Sequence, residues 1–209
     1  MNRSFLVFAT AFVALMAGAL LYAVRLPVQA PEAPAQPPAA AELAETAEAM
    51  PAIPVVPSFS LPDIDGTQRN FSEWSGRHTL LNFWATWCAP CRREIPLLKA
   101  FQDEQGDNGV QVIGIAVDDA LPVSKYAEEM QFNYPVLVGQ QEAMEIAESS
   151  GIEFIGMPFT MIVAADGELL NAHFGEIHEP DLAHIADVLR MLERGEIDKA
   201  SAREALNFL

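Results

Sequence analysis

The chain has 209 residues, 51 % of them hydrophobic, which is room for one ordinary domain with its own core plus additional segments. Its formal charge of −17 argues against nucleic acid as a partner, because phosphate contacts need a basic surface. Acidity of this size serves solubility or the steering of a basic partner, and two cysteines are too few for a disulfide scaffold but enough for one redox pair.

Residues 1–25 read as a membrane anchor or a signal peptide. Arg3 precedes an uncharged run from Phe5 to Val24, which Arg25 closes. About twenty such residues cross a bilayer as a helix, and the run is long for the apolar part of a signal peptide. Val28-Gln29-Ala30 is a passable cleavage triplet, but Pro31 follows it and disfavours processing. The segment is therefore taken as an uncleaved single-pass anchor with the domain outside the cytoplasm, where a redox pair has most to do. Residues 26–57 form a linker of Pro, Ala and Glu, a composition that stays extended and buries no core.

The folded domain is expected over 58–194. Phe59-Ser60-Leu61 and Asn70-Phe71-Ser72 flank Asp65-Gly66 and predict a hairpin. Leu80 to Trp84 predicts a buried strand. A helix follows to about Gln105, with Ile95, Leu98 and Phe101 at three-residue steps, and ends at Gly106 and Asn108-Gly109. Val110 to Val117 is a second buried strand, Pro122 to Met130 a helix, Pro135 to Val138 a short strand and Glu142 to Ser149 a helix stopped by Gly151. Phe159 to Ala164 and Glu168 to Phe174 predict a hairpin across Asp166-Gly167, and Glu179 to Leu192 is an amphipathic helix. Residues 195–209 are a helical extension that Asp198 caps, with Ala205, Leu206 and Leu209 apolar. Strands alternating with helices, then a closing hairpin and helix, imply an α/β sandwich on a mixed sheet.

The chemistry lies in Trp87-Cys88-Ala89-Pro90-Cys91, where an apolar strand turns into a helix. A zinc ribbon needs a second ligand pair, and haem attachment needs a histidine where Arg92 stands. Redox exchange fits both spacing and context. Cys88 lies at the helix start, where unpartnered backbone N–H groups and the helix dipole favour a thiolate. Cys91 is one turn on, within reach for a disulfide. The attacking thiol is therefore Cys88 and the resolving thiol Cys91. Pro90 stiffens the turn where a missing N–H is tolerated. Trp87 stands beside the pair and is expected to shield it at the surface, while Trp84 fills the core. His78, His173, His178 and His184 show no ligand spacing, and neither cofactor nor metal is expected.

The stretch from Phe83 to Pro96 resembles the active-site segment of the thioredoxin superfamily. It is most similar to the TlpA/ResA-like membrane-anchored thiol–disulfide oxidoreductases, with the likeness running from about Ser58 to Leu192. It implies a thioredoxin-like fold with an extra N-terminal hairpin and an inserted αβ unit within Asp118 to Ser149. Gly156-Met157-Pro158-Phe159-Thr160 resembles the family's cis-proline loop. The likeness thus implies a cis Met157–Pro158 bond facing the cysteines, with Pro158 shaping a groove and the Met157 backbone pairing with an extended substrate. Thioredoxins proper carry a buried Asp where Asn82 stands, and an amide takes no proton. TlpA/ResA-type proteins share that change and carry a Glu at the position of Glu94, where a carboxylate could relay the proton of Cys91. Pro96 matches the superfamily's helix-kinking proline.

The resemblance further implies a periplasmic reductant of protein disulfides at the bacterial inner membrane. Its disulfide-bonded substrates would be an apocytochrome c or the copper site of an oxidase, and its electrons would come from a membrane thiol reductase. Two rival classes stand beside it. One is a peroxiredoxin-type peroxidase, although the threonine expected three residues before its cysteine is here Thr86, two before Cys88. The other is a copper-delivery or docking module without catalysis on the same fold.

Overall fold

The computed structural model describes residues 54–106 and 109–207. The expected anchor over 1–25, most of the linker, Asn108 and Leu209 lie outside them. Among the described residues no helix is long and apolar enough to cross a membrane.

A five-stranded mixed sheet carries the fold, in the order β5-β4-β3-β6-β7. Its strands are β3 (Thr79–Trp84), β4 (Gln111–Val117), β5 (Val136–Gly139), β6 (Phe159–Val163) and β7 (Leu169–Phe174). β3 is the central strand, parallel to β4 and antiparallel to β6. Every residue of β3 is buried. That is why the strand reads as a continuous apolar run and not as an alternation, since both faces are covered.

The alternation of side chains along β3 builds two cores. Leu80 and Trp84 face helices α1 (Ala89–Gln105), α2 (Ala120–Met130), α4 (Glu179–Glu193) and α5 (Lys199–Leu206), with Ile95, Leu98, Val123, Ile185 and Leu206 in the same cluster. Leu81 and Phe83 face the other way, toward α3 (Gln141–Ser149), Leu61 and Trp74. On that side the Phe83 and Phe159 rings stack with centroids 4.2 Å apart. Asn82 lies on the first face between Leu80 and Trp84, fully buried.

The N-terminal hairpin is shorter than expected. β1 (Ser60–Pro62) pairs with β2 (Gln68–Asn70), and Phe71–Trp74 turns into a single 3-10 turn. Asn70 causes the change. Its side chain accepts the Ser72 N–H at 2.9 Å while Glu73 accepts the Asn70 N–H at 2.7 Å, a reciprocal cap that ends the strand. The fold also reaches back past Ser58 into residues assigned to the linker. Val56 is buried and donates its N–H to Gly167 at 2.9 Å, and Leu169 donates to Pro54.

β5 is supplied by the segment read as an inserted unit, and it extends the sheet in parallel beside β4. The C-terminal helix α5 shares the core of α4, with Ala202 and Leu206 fully buried. Lys199 pairs with Asp166 and Glu168, Arg203 pairs with Glu168, and Asn171 donates to the Leu206 carbonyl at 2.5 Å.

Candidate active site

The strand–turn–helix carrying the cysteines runs from β3 into α1. Cys88 is the N-cap of α1, with extended backbone, and its Sγ accepts the Cys91 N–H at 3.3 Å. That contact is the donor environment expected to favour a thiolate. Cys88 and Cys91 are joined by a disulfide, with Cα atoms 5.3 Å apart. Cys88 is 6 % exposed and Cys91 fully buried, so the first sulfur is the one an incoming protein can reach. Pro90 occupies the first turn of α1, where no N–H bond is lost. Pro96 lies inside α1 and is exposed, leaving the Arg92 carbonyl to water.

The turn is tethered from the neighbouring strand. Asp118, at the end of β4, accepts the Thr86 N–H at 2.9 Å and the Thr86 hydroxyl at 2.5 Å through one oxygen. Asp118 was legible in the sequence only as a strand terminus. Trp87 is 69 % exposed, so it stands beside the pair as a contact face more than as a cover. Trp84 is buried, as expected, against Tyr126 and Phe132.

The Met157–Pro158 bond is cis, in accord with the resemblance. Pro158 precedes β6, whose first residue pairs with Phe83 of β3, so the proline loop and the cysteine turn lie at the same end of the sheet. Met157 is half-buried against the α1 side of the core. Other exposed apolar side chains share this end. Ile155 lies in the loop before Pro158, and Phe174 ends β7 directly opposite Phe159.

Glu94 is not a solvated helix residue. It is fully buried one turn beyond Cys91. Asn82 Nδ2 donates to its Oε1 at 2.7 Å and the Ile177 N–H donates to its Oε2 at 2.8 Å. Burial pushes its pKa up to about 7, opposed by the two donors and assisted by the charge of Glu176. Asn82 Nδ2 also donates to Thr160 Oγ1 at 3.0 Å. Outside this pocket Arg93 Nε donates to Glu176 at 3.0 Å, which holds the loop before α4 against α1. Among the described residues no three of His, Cys, Asp and Glu come together as a metal site. Reasoning from sequence found Glu94 but missed Thr160 and Ile177. Thr160 is signalled only as a lone hydroxyl in an apolar strand, and Ile177 acts through its backbone, which no side-chain pattern reveals.

The Redoxin family signature matches residues 52–189. The chain belongs to the redoxin family. Within that family it is a TlpA/ResA-like thioredoxin-fold protein and a thiol–disulfide oxidoreductase of the ResA type. The thiol–disulfide oxidoreductase ResA of Geobacillus kaustophilus is 29 % identical over 125 residues, which cover 59 % of this chain and 70 % of that protein. ResA of Halalkalibacterium halodurans is 25 % identical over 134 residues, covering 64 % and 74 %. Among solved structures, a thiol:disulfide interchange protein of the thioredoxin family from Chlorobium tepidum superposes with a TM-score of 0.59 at 28 % identity, covering 65 % of this chain and 94 % of that one. The family match over residues 52–189 takes in the Cys88–Cys91 turn and the Pro158 loop of this redoxin only as parts of a larger shared fold. The roles of individual residues therefore rest on the geometry above.

Proposed function

We propose that this redoxin is a membrane-anchored periplasmic reductant of protein disulfides, working through Cys88 and Cys91 with Glu94 as the proton partner of Cys91. The observation that carries the reading is the asymmetry of the pair: a helix-capping cysteine that keeps 6 % exposure, and a fully buried one a turn away from a buried carboxyl group. In the reduced protein the Cys88 thiolate attacks a substrate disulfide. One S–S bond breaks, one substrate sulfur leaves as a thiolate, and a mixed disulfide forms. Cys91 then gives its proton to Glu94 and attacks the Cys88 sulfur. The second substrate thiolate leaves, the Cys88–Cys91 disulfide closes, and two electrons have passed to the substrate. A dithiol donor reverses the sequence, and Glu94 returns a proton to Cys91 as it leaves. A group whose pKa lies near 7 serves both directions at neutral pH.

The uncharged run over residues 5–24 supports the anchor, and an oxidising compartment gives a disulfide reductant its substrates. Within this reading the substrate is an apocytochrome c or the copper-site protein of an oxidase, and the donor is a membrane thiol reductase. Pro158 and the Met157 backbone would hold the extended substrate segment. The peroxidase reading is disfavoured by Thr86, whose hydroxyl is committed to Asp118 and is not presented to a peroxide at Cys88.

The test is Cys91→Ser in the full chain, expressed in a cell with an intact periplasm. It should accumulate mixed disulfides through Cys88 with cysteine-pair proteins outside the cytoplasm. Trapping only cytoplasmic proteins, or rapid peroxide turnover that survives the substitution, would overturn the proposal.

A further inference from the structure

The Asn82 amide is used on one side only. Nδ2 makes both of its hydrogen bonds, to the Glu94 carboxyl group and to the Thr160 hydroxyl, while Oδ1 is buried with no partner. A buried orphan acceptor is costly, on the order of 1–3 kcal/mol, and is uncommon in a close-packed core. Both partners of Nδ2 are chemically reversible. A carboxylate only accepts, whereas a carboxylic acid also donates, and a hydroxyl does either. Half a turn of the amide about its terminal torsion exchanges N and O with almost no change of shape, so the two settings pack alike and each leaves one end of the amide, Oδ1 or Nδ2, without a partner.

We propose that Asn82 is a positioning residue with two settings, donating through Nδ2 while Glu94 is ionised and turning to accept through Oδ1 when Glu94 carries a proton. The inference rests on the proton exchange proposed above for Glu94. In the first setting the carboxylate receives two N–H donors, from Asn82 and Ile177, which favour its charge. In the second the acid O–H donates to Oδ1, Thr160 turns its hydroxyl to do the same, and Ile177 continues to donate to the other carboxyl oxygen. No bond between heavy atoms changes, and the single proton gained by Glu94 is the one that Cys91 loses or that solvent supplies. An aspartate at position 82 would compete for that proton, while an apolar residue would leave Glu94 with one donor. An amide instead follows the proton without holding it.

Other groups face this cluster. Cys91 lies one turn back on α1. Glu176, paired with Arg93, and His178 border it from the loop before α4. Tyr134 faces it from the loop before β5, with its hydroxyl buried and its ionisation suppressed by burial and by the Glu94 charge. His173 lies across from Thr160 on β7. The control below separates them from Glu94.

The experiment is NMR on the full chain in mild detergent, with [15N]Asn and [13Cδ]Glu, from pH 5 to pH 9. Glu94→Gln assigns the carboxyl signal and removes the proton. The two Nδ2 proton resonances of Asn82 should move with the same midpoint as the Glu94 carbon and their Overhauser contact with the Thr160 methyl group should weaken below it; both responses should vanish in Glu94→Gln, and a shift with that contact unchanged means a fixed amide and overturns the inference. An Asn82 signal that stays fixed while Glu94 titrates overturns this inference and leaves the proton exchange standing. An Asn82 response that persists in Glu94→Gln assigns the motion to His173 or another group and equally overturns it. A Glu94 carbon that does not titrate in this range overturns both.

Discussion

The backbone N–H of Ile177 lies 2.8 Å from Oε2 of Glu94, across 83 residues of sequence. One peptide group in the loop before α4 thus holds the carboxyl group that lies one turn from the resolving cysteine. The same loop is fastened outside by Glu176 to Arg93. Helix α4 is thereby coupled to the cysteine helix at the point where a proton must move.

Stability should report the buried carboxyl group. The native state holds the Glu94 proton up to about pH 7, whereas the unfolded chain releases it near 4.5, as an ordinary glutamate does. Between those values the native state binds more protons, so this group lowers stability as pH rises through that window. Glu94→Gln removes the contribution and should stabilise the protein at pH 8 relative to pH 4, by about 3 kcal/mol at most. Urea unfolding of both proteins at the two pH values measures it. Equal slopes would show that Glu94 has an ordinary titration.

Trp87 should act on partners and leave the fold alone. Its ring is mostly in solvent beside Cys88. Trp87→Ala should change stability by less than about 0.5 kcal/mol, while lowering kcat/KM on a protein disulfide roughly tenfold. Reduction of a small aromatic disulfide should hardly change, and Cys88→Ser should abolish both reactions. An equal fall on protein and small disulfides after Trp87→Ala would place the tryptophan in the chemistry and not in docking.

Gly114 leaves room for two large rings. A Cβ there would stand 3.1 Å from Trp84 Nε1, which must give by a few tenths of an ångström, and 3.4 Å from Tyr134 Cε2, which leaves the indole little room to do so. Overpacking of this kind costs about 1–3 kcal/mol, and the stiffer unfolded chain returns less than about 1 kcal/mol of it. Gly114→Ala should therefore lower the urea midpoint, with altered near-UV dichroism from Trp84. An unchanged midpoint would mean that the two rings shift freely.

The C-terminal helix should be part of the cooperative unit. Leu206 is fully buried among α4 and β7 residues. Leu206→Ala should cost about 2–5 kcal/mol by transfer and cavity terms, seen as one shifted transition. Two separate transitions would instead make α5 an appendage.

The sequence by itself determined the order of strands and helices, the cysteine turn and the place of Glu94. These are local properties: a run of apolar side chains, glycine and proline breaks, and two cysteines a helical turn apart all act between near neighbours. Its misreadings were also local. Asn70 could continue a strand or cap a turn, and its reciprocal bond with Glu73 settles the matter. Val56 reads as linker until the turn between β6 and β7 offers it the Gly167 carbonyl. Only the tertiary structure decided the rest. Glu94 is legible as one residue on a helix face, but its burial, its raised pKa and its three neighbours come from β3, β6 and the loop before α4. The farthest of them along the chain, Ile177, is 83 residues from Glu94. Desolvation of a charge and the direction of an amide depend on which chains meet in space, and no periodicity along one chain encodes that meeting.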